Sequence, residues 1–136
     1  MKKLIVCFVL LWSSLNMIKG QDVVTPGQLS PQKDFENIWT EKIYSDSLGT
    51  SILIWVKKEV ALHRHESHSE QVYILEGSAD MRIGGDNYSV VAGDLVLIPG
   101  NTAHSLTVTS VDPLKAISFQ TPEFLGKDRV FIEKKP

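Results

Sequence analysis

The chain has 136 residues, of which 43% are hydrophobic and 22% charged. This composition excludes a disordered chain and provides for one domain with one sizeable core. The formal net charge of −2 at pH 7 gives no basic surface for nucleic acid, and we expect no nucleic-acid partner.

The first 20 residues have the layout of a secretory signal peptide. Two lysines precede an apolar run over residues 4–12, and a more polar stretch ends at Gly20. The run is shorter than the roughly 20 residues of a membrane span. We expect cleavage near Gly20 and Gln21, a secreted or periplasmic protein, and no stable membrane anchor. The alternative is an uncleaved N-terminal anchor.

Removal of residues 1–20 changes two properties of the chain. Cys7 is the single cysteine, so the mature protein has neither disulfides nor thiolate ligands. Three lysines also leave, and 11 basic against 16 acidic residues give a net charge of about −5.

Residues 21–37 are polar and turn-rich, which predicts a loose N-terminal arm. Residues 38–120 have a dominant period of two and form the predicted barrel, and residues 121–136 are left as a C-terminal tail or edge segment. Gly, Pro, Asn or Asp separates the short β-rich runs, which are 51–56, 71–76, 79–83, 88–91, 94–98, 105–109 and 115–119.

The segment from Ile83 to Tyr88 predicts a β-hairpin. Its Gly84, Gly85 and Asn87 tolerate the positive φ angles of tight turns. Many short strands in about 115 residues, without a helical stripe, predict an all-β sandwich or closed barrel.

Three of the four histidines fall within HRHESHSE, residues 63–70. In a strand, His63 and His65 share one face, because side chains at i and i+2 point the same way. A turn that sets the next strand beside them would bring Glu70 close. Two imidazoles and a carboxylate above apolar neighbours indicate a first-row metal site. The alternative is a solvated hairpin tip.

A second stretch, GDLVLIPGNTAH, favours the metal site. It carries Gly93 and Pro99, and it places the remaining histidine, His104, just after a Pro-Gly-Asn turn.

The two stretches together resemble the cupin family of small jelly-roll β-barrels. The first cupin motif is His-x-His, three or four residues, Glu, six residues and Gly, and here His63, His65, Glu70 and Gly77 keep that spacing. The second motif is Gly, five residues, Pro-x-Gly, two residues, His, three residues and Asn.

Three positions depart from the cupin pattern. The glycine before the first histidine falls where Lys57 and Lys58 stand. Asn101 holds the usual glycine position of the Pro-x-Gly turn, and we expect the turn to survive because Asn adopts the left-handed conformation. Val108 replaces the closing Asn.

The resemblance implies a double-stranded β-helix with one divalent metal inside the barrel. Its ligands would be His63, His65, Glu70 and His104. Three nitrogens and a carboxylate suit Fe, Mn, Ni, Cu or Zn, and ligand type does not choose among them. The resemblance also implies barrels that pair through edge strands, with the N-terminal arm as a candidate part of a homodimer interface.

Side chains near the predicted ligands have plainer expected roles. We expect His68 on the solvated turn, the alternatives being a replacement ligand or a group behind the ligands. Glu66 is expected to be a rim charge. Aromatic residues are expected in the core or barrel wall rather than in ligand contact, and these are Trp39, Trp55, Tyr73, Tyr88 and Phe119.

The resemblance leaves several functions open. A metal-dependent enzyme acting on a small organic substrate is the first hypothesis; a dioxygenase-type reaction is favoured, and an isomerase or decarboxylase is the alternative. No catalytic residue is identified. The second hypothesis is a non-catalytic module that binds a sugar or an aromatic acid. A metal-free barrel ranks lowest, because burying three imidazoles and a carboxylate without a cation costs several kcal/mol.

Overall fold

The computed structural model describes residues 23–132. The predicted signal peptide therefore lies outside the described residues and stays a prediction. Among residues 23–132, no helix has the length and apolar character needed to cross a membrane.

The described part of the chain is built from strands. A short 3-10 helix, Pro26–Gln28, precedes ten strands. Their bounds are β1 Ile38–Asp46, β2 Gly49–Val56, β3 Glu59–His65, β4 Ser69–Glu76, β5 Ser78–Ile83, β6 Asp86–Val91, β7 Leu95–Ile98, β8 His104–Val108, β9 Leu114–Thr121 and β10 Arg129–Phe131.

The strands form two antiparallel sheets of five strands each. The first has the order β1-β2-β9-β4-β7 and the second β10-β3-β8-β5-β6. Short connections carry the chain repeatedly from one sheet to the other and give the jelly-roll arrangement, which confirms the all-β prediction.

The seven β-rich runs of the sequence correspond to β2 and β4–β9, and the predicted hairpin joins β5 to β6 through Gly84 and Gly85. One detail differs from the expectation. Strands β3 and β4 are not side by side, because β3 belongs to the second sheet and β4 to the first. Glu70 therefore approaches the histidines from the opposite sheet.

The core lies between the two sheets and follows the period of two. On β4, the side chains of Glu70, Val72 and Ile74 are buried while those of Gln71 and Tyr73 are exposed. The inward apolar side chains pack into one cluster of buried residues, which is Val56, Val72, Ile74, Ala79, Met81, Val90, Val96, Ile98, Leu106, Leu114 and Ala116.

The outer face of the first sheet is partly covered. Lys115 is buried there, and its Nζ donates hydrogen bonds to the carbonyl oxygens of Gly27 and Leu29 at 2.9 and 2.8 Å. Trp55 is buried beneath this contact, whereas Tyr73, Tyr88 and Phe119 are exposed. The expectation of core or wall positions therefore holds for Trp55, and those three rings lie on the outer surface.

Two turns around the histidine motif are built without the usual glycine. The side-chain oxygen of Asn37 accepts hydrogen bonds from the backbone N–H groups of Lys58 and Glu59, which fixes the turn between β2 and β3. Asn101 has a φ of 61°, so it takes the left-handed conformation as expected. Its N–H donates to the carbonyl oxygen of His65 at 2.7 Å.

The conformation of Asn101 gives a prediction about stability. Asn101→Val should lower the free energy of unfolding by about 1–2 kcal/mol, because a side chain with a branched Cβ is strained at positive φ. Asn101→Gly should cost a few tenths of a kcal/mol at most. Urea unfolding of both variants in the presence of a chelator measures the difference. Equal stabilities of the Val and Gly variants would contradict it.

Candidate metal centre

Three imidazoles converge inside the barrel at one end of the second sheet. His63 and His65 share the inner face of β3, and the register of β3 with β8 sets His63 opposite His104. All three are buried, with 3%, 3% and 4% of their surface exposed, and their ligand-capable atoms lie within 4.8 Å of one another. The β3–β8 ladder shifts register between Val60 and His63, an irregularity of the kind that re-aims side chains at a site.

Backbone carbonyls orient two of the three rings. The Nδ1 of His63 lies 2.8 Å from the oxygen of Ala61, and the Nδ1 of His104 lies 2.9 Å from the oxygen of Thr102. In each neutral ring Nδ1 is then the donor, so Nε2 carries a free lone pair. This is the arrangement that metal-ligating histidines adopt.

Glu70 brings a carboxylate to the same point from the opposite sheet. Its Oε2 lies 3.2 Å from Nε2 of His104 and 3.8 Å from Nε2 of His65. Its Oε1 accepts hydrogen bonds from the hydroxyl of Ser118 and, at 3.2 Å, from Nε2 of Gln120. One carboxylate oxygen is thus held by β9, and the other faces the histidines.

The surroundings set the protonation states of the cluster. Burial lowers the pKa of His63 to about 4 and outweighs the hydrogen bond with the Ala61 carbonyl, which raises it. Burial also lowers the pKa of His65. Burial raises the pKa of Glu70, but the His104 imidazole and the Ser118 hydroxyl outweigh it and bring that pKa to about 2. At neutral pH, the site therefore holds neutral imidazoles, at least at His63 and His65, and an ionised carboxylate, the forms that bind metals.

The donor set fits a divalent metal. The Nε2 atoms of His65 and His104 are buried and have no hydrogen-bond partner among the described residues. Leaving such atoms unsatisfied costs free energy, and a cation at their meeting point would satisfy them together with the charge of Glu70. Three nitrogens and one oxygen match the preferences of first-row divalent ions.

The cluster forms part of the wall of a cavity of about 90 Å³, which has room for several water molecules. His63, Glu70 and His104 belong to the lining, and most of the other lining side chains are apolar, among them Val72 and Leu106. The interior of the barrel is thus open beside the histidines rather than filled.

His68 does not lie on a solvated turn, and that expectation is wrong. Its side chain is buried, and its Nδ1 lies 2.6 Å from Oδ2 of Asp128. The ring stacks on that of His65, with centroids 4.2 Å apart. His65, His68 and Asp128 form a second group whose ligand-capable atoms lie within 4.8 Å of one another. The loop after β9 encloses the turn that carries His68, which is why this histidine is buried.

Sequence reasoning missed the groups that support the cluster. Ser118 and Gln120 carry a signal that could have found them, since they alternate with outward residues on β9 and are polar on an inward face. The sequence gives no such signal for Asp128, because its position depends on how the segment before β10 returns to pair with β3. The backbone N–H of Glu66 donates to the carbonyl oxygen of Asp128 at 3.1 Å, and this long-range contact is absent from any local pattern.

Comparison with curated proteins gives relatives of mixed type. The chain is 30% identical over 81 residues to the uncharacterized protein MJ1618 of Methanocaldococcus jannaschii, covering 60% of this chain and 65% of that protein. It is 40% identical over 48 residues to quercetin 2,3-dioxygenase of Bacillus subtilis, covering 35% of this chain and 14% of that enzyme. The chain therefore spans less than two thirds of either relative.

Solved structures share the fold at low identity. A protein with a double-stranded β-helix domain from Klebsiella pneumoniae matches 84% of this chain and 99% of its own, with a TM-score of 0.70 and 15% identity. The nucleoside dehydratase Pac13 matches 69% of this chain and 85% of its own, with a TM-score of 0.59 and 16% identity.

The Cupin_2 family profile, described as a cupin domain, matches residues 52–119, which is half of the chain. This range contains both histidine motifs, all of β3–β8 and most of β2 and β9. On the two-sheet barrel and this match, the chain belongs to the cupin family.

Proposed function

We propose that this cupin holds one divalent metal through His63, His65, Glu70 and His104 and acts on a small organic substrate. One observation carries the proposal: three imidazoles converge inside the barrel, and Glu70 approaches His65 and His104 from the opposite sheet. His63, Glu70 and His104 also line an open cavity. A divalent metal bound there would act as a Lewis acid, and a redox-active ion would also activate O₂.

The chain's own residues have defined tasks in this proposal. The carbonyls of Ala61 and Thr102 orient the rings of His63 and His104, so that their Nε2 atoms point toward the site. Ser118 and Gln120 hold one oxygen of Glu70, so that the other is free to face the histidines. The apolar walls exclude water and bind the carbon skeleton of the substrate.

A dioxygenase-type reaction is our preferred chemistry. Among the described residues that line the cavity, the titratable side chains are His63, Glu70, His104 and Arg129. The first three are used as ligands, and an arginine is a poor base because its pKa lies above 12. This favours a reaction that needs no separate protein base, and the similarity to quercetin 2,3-dioxygenase over 48 residues points the same way. Isomerase and decarboxylase chemistry remain the alternatives.

A non-catalytic binding module is the second candidate. The same lack of a free base supports it, and the apolar lining suits an aromatic acid better than a sugar. The two candidates differ in turnover and not in ligand binding.

Oxygen consumption tests the preferred chemistry. Protein loaded with Fe(II) or Mn(II) should consume O₂ with at least one member of a panel of phenols, thiols and diketones. His104→Ala should reduce the rate to the background of free metal. Ligand-induced thermal stabilisation without O₂ uptake or any product would favour the binding module instead.

Metal content tests the ligand set. His63→Ala and His104→Ala should each lower bound metal well below one equivalent, because each removes one of four ligands. His68→Ala should retain about one equivalent. Elemental analysis after gel filtration gives the stoichiometry of each variant.

His68 is the matched control, since it is a buried histidine that neighbours the site without facing the cavity. If His68→Ala loses the metal and His63→Ala retains it, the ligands are instead His65, His68 and Asp128.

The protonation states predict how acid affects the metal-free protein. Between pH 6.5 and about 4, the unfolded chain protonates His63 while the folded protein does not. Below pH 4.5 the unfolded chain also protonates Glu70, whose folded pKa is about 2. The unfolded state binds more protons in both ranges, so the free energy of unfolding should fall as the pH is lowered from 7 to 4.

Urea unfolding at a series of pH values in chelator measures this dependence. His63→Gln should show a shallower fall between pH 6.5 and 4, because it removes one of the groups responsible. Stability that is constant, or that rises, from pH 7 to 4 would contradict a neutral His63 and an ionised Glu70 in the folded protein.

A further inference from the structure

Arg129 lies at the mouth of the cavity that His63, Glu70 and His104 line. It stands on β10, the edge strand of the second sheet, and its partner across the ladder is His65. The other exposed side chains of the lining include Ile38 and Thr40, on the edge strand β1 of the first sheet. The cavity therefore opens between the two sheet edges, and Arg129 stands on one lip of the opening.

The guanidinium of Arg129 is free to bind a ligand. Within residues 23–132 it forms no hydrogen bond or ion pair, and its close contact is the face of the Phe124 ring, 5.6 Å away. The other two arginines of the chain are engaged. Arg64 pairs with Glu66 at 3.3 Å, and Nε of Arg82 donates to the carbonyl oxygen of Gly84 at 3.2 Å.

No acidic group of the cavity neutralises Arg129. Glu70 is the single carboxylate among the described lining residues, and its two oxygens face β9 and the histidines. The neighbouring Asp128 is held by Ser67 and His68. Arg129 lines the same cavity as His63, Glu70 and His104, so its positive charge faces the space that a ligand would occupy.

The electrostatic balance of the loaded site favours an anion. A divalent cation on the proposed ligands exceeds the single negative charge of Glu70, and Arg129 adds a second positive charge at the mouth. Most of the other side chains that line the cavity are apolar. A molecule that complements this cavity has an anionic head and a short apolar or aromatic body.

We propose that Arg129 binds the carboxylate of a small organic acid whose apolar part lies in the cavity. The planar guanidinium presents paired N–H donors that match a carboxylate. This arrangement directs the opposite end of the acid toward His63 and His104, so that Arg129 selects and orients the substrate. The assignment deepens the proposed function and rests on it, because the acid is taken to be the substrate of the metal centre.

Matched acids and amides test the assignment. The full chain is loaded with Zn(II), which is redox-inert, and titrated with 3-methylbutanoate and benzoate and with the amides of the same two acids. Wild-type protein should bind each acid about tenfold more tightly than its amide, as a charge-assisted hydrogen bond implies. Arg129→Gln should abolish this preference, and Arg129→Lys should restore part of it.

Arg82→Gln is the matched control, because Arg82 is exposed and lies outside the cavity lining. It should keep the wild-type preference. Zinc content measured on every sample shows whether a variant has kept the fold and the site.

The outcomes separate the two proposals. An acid preference that survives in Arg129→Gln shows that the metal alone selects the acid, and it overturns the role of Arg129. Wild-type protein that binds acids and amides equally, or binds neither, also overturns it. If the protein binds no zinc but still prefers acids to amides through Arg129, the role of Arg129 is supported and the proposed metal centre is overturned.

Discussion

The structure depends on the burial of three imidazoles and one carboxylate inside a small apolar barrel. Polar atoms in such a place must be hydrogen-bonded or must bind a cation. Backbone carbonyls satisfy Nδ1 of His63 and His104, and β9 satisfies one oxygen of Glu70. The Nε2 atoms of His65 and His104 are left without partners, and they face the remaining oxygen of Glu70. The barrel thus satisfies most outer atoms of the cluster, Nδ1 of His65 being the exception, and leaves its centre for a ligand.

The jelly-roll fold explains how two distant segments meet at this centre. The ladder between β3 and β8 sets His63 opposite His104 within one sheet, and β4 presents Glu70 from the other. Neither sheet alone supplies the full set of donors. The site therefore forms only when the sheets pack, and a bound metal would hold the two layers together from inside.

Local sequence patterns predicted most of the strands and the proposed ligands. The period of two placed His63 and His65 on one face and Glu70 with Val72 and Ile74 on another, and the cupin spacing added His104. The same patterns failed for His68 and Asp128, because their burial results from the return of the last segment to β3. A turn of polar residues is predicted to be exposed to solvent unless the segment that covers it is known. The relation of β3 to β4 was missed for the same reason, since local alternation does not say which sheet a strand joins.

The segment around β10 matters more than its length suggests. It was expected to be a tail or an edge, yet two consecutive residues of it approach the site from different sides. Asp128 lies behind the cluster, with Oδ1 3.6 Å from Nδ1 of His65 and Oδ2 2.6 Å from Nδ1 of His68. The 3.6 Å distance is too long for a hydrogen bond, so Asp128 pairs with His68 and is only a neighbour of the His65 ring. Arg129 lies in front, at the mouth of the cavity. Asp128 directly precedes β10 and Arg129 is its first residue, so the pairing of β10 with β3 positions both side chains.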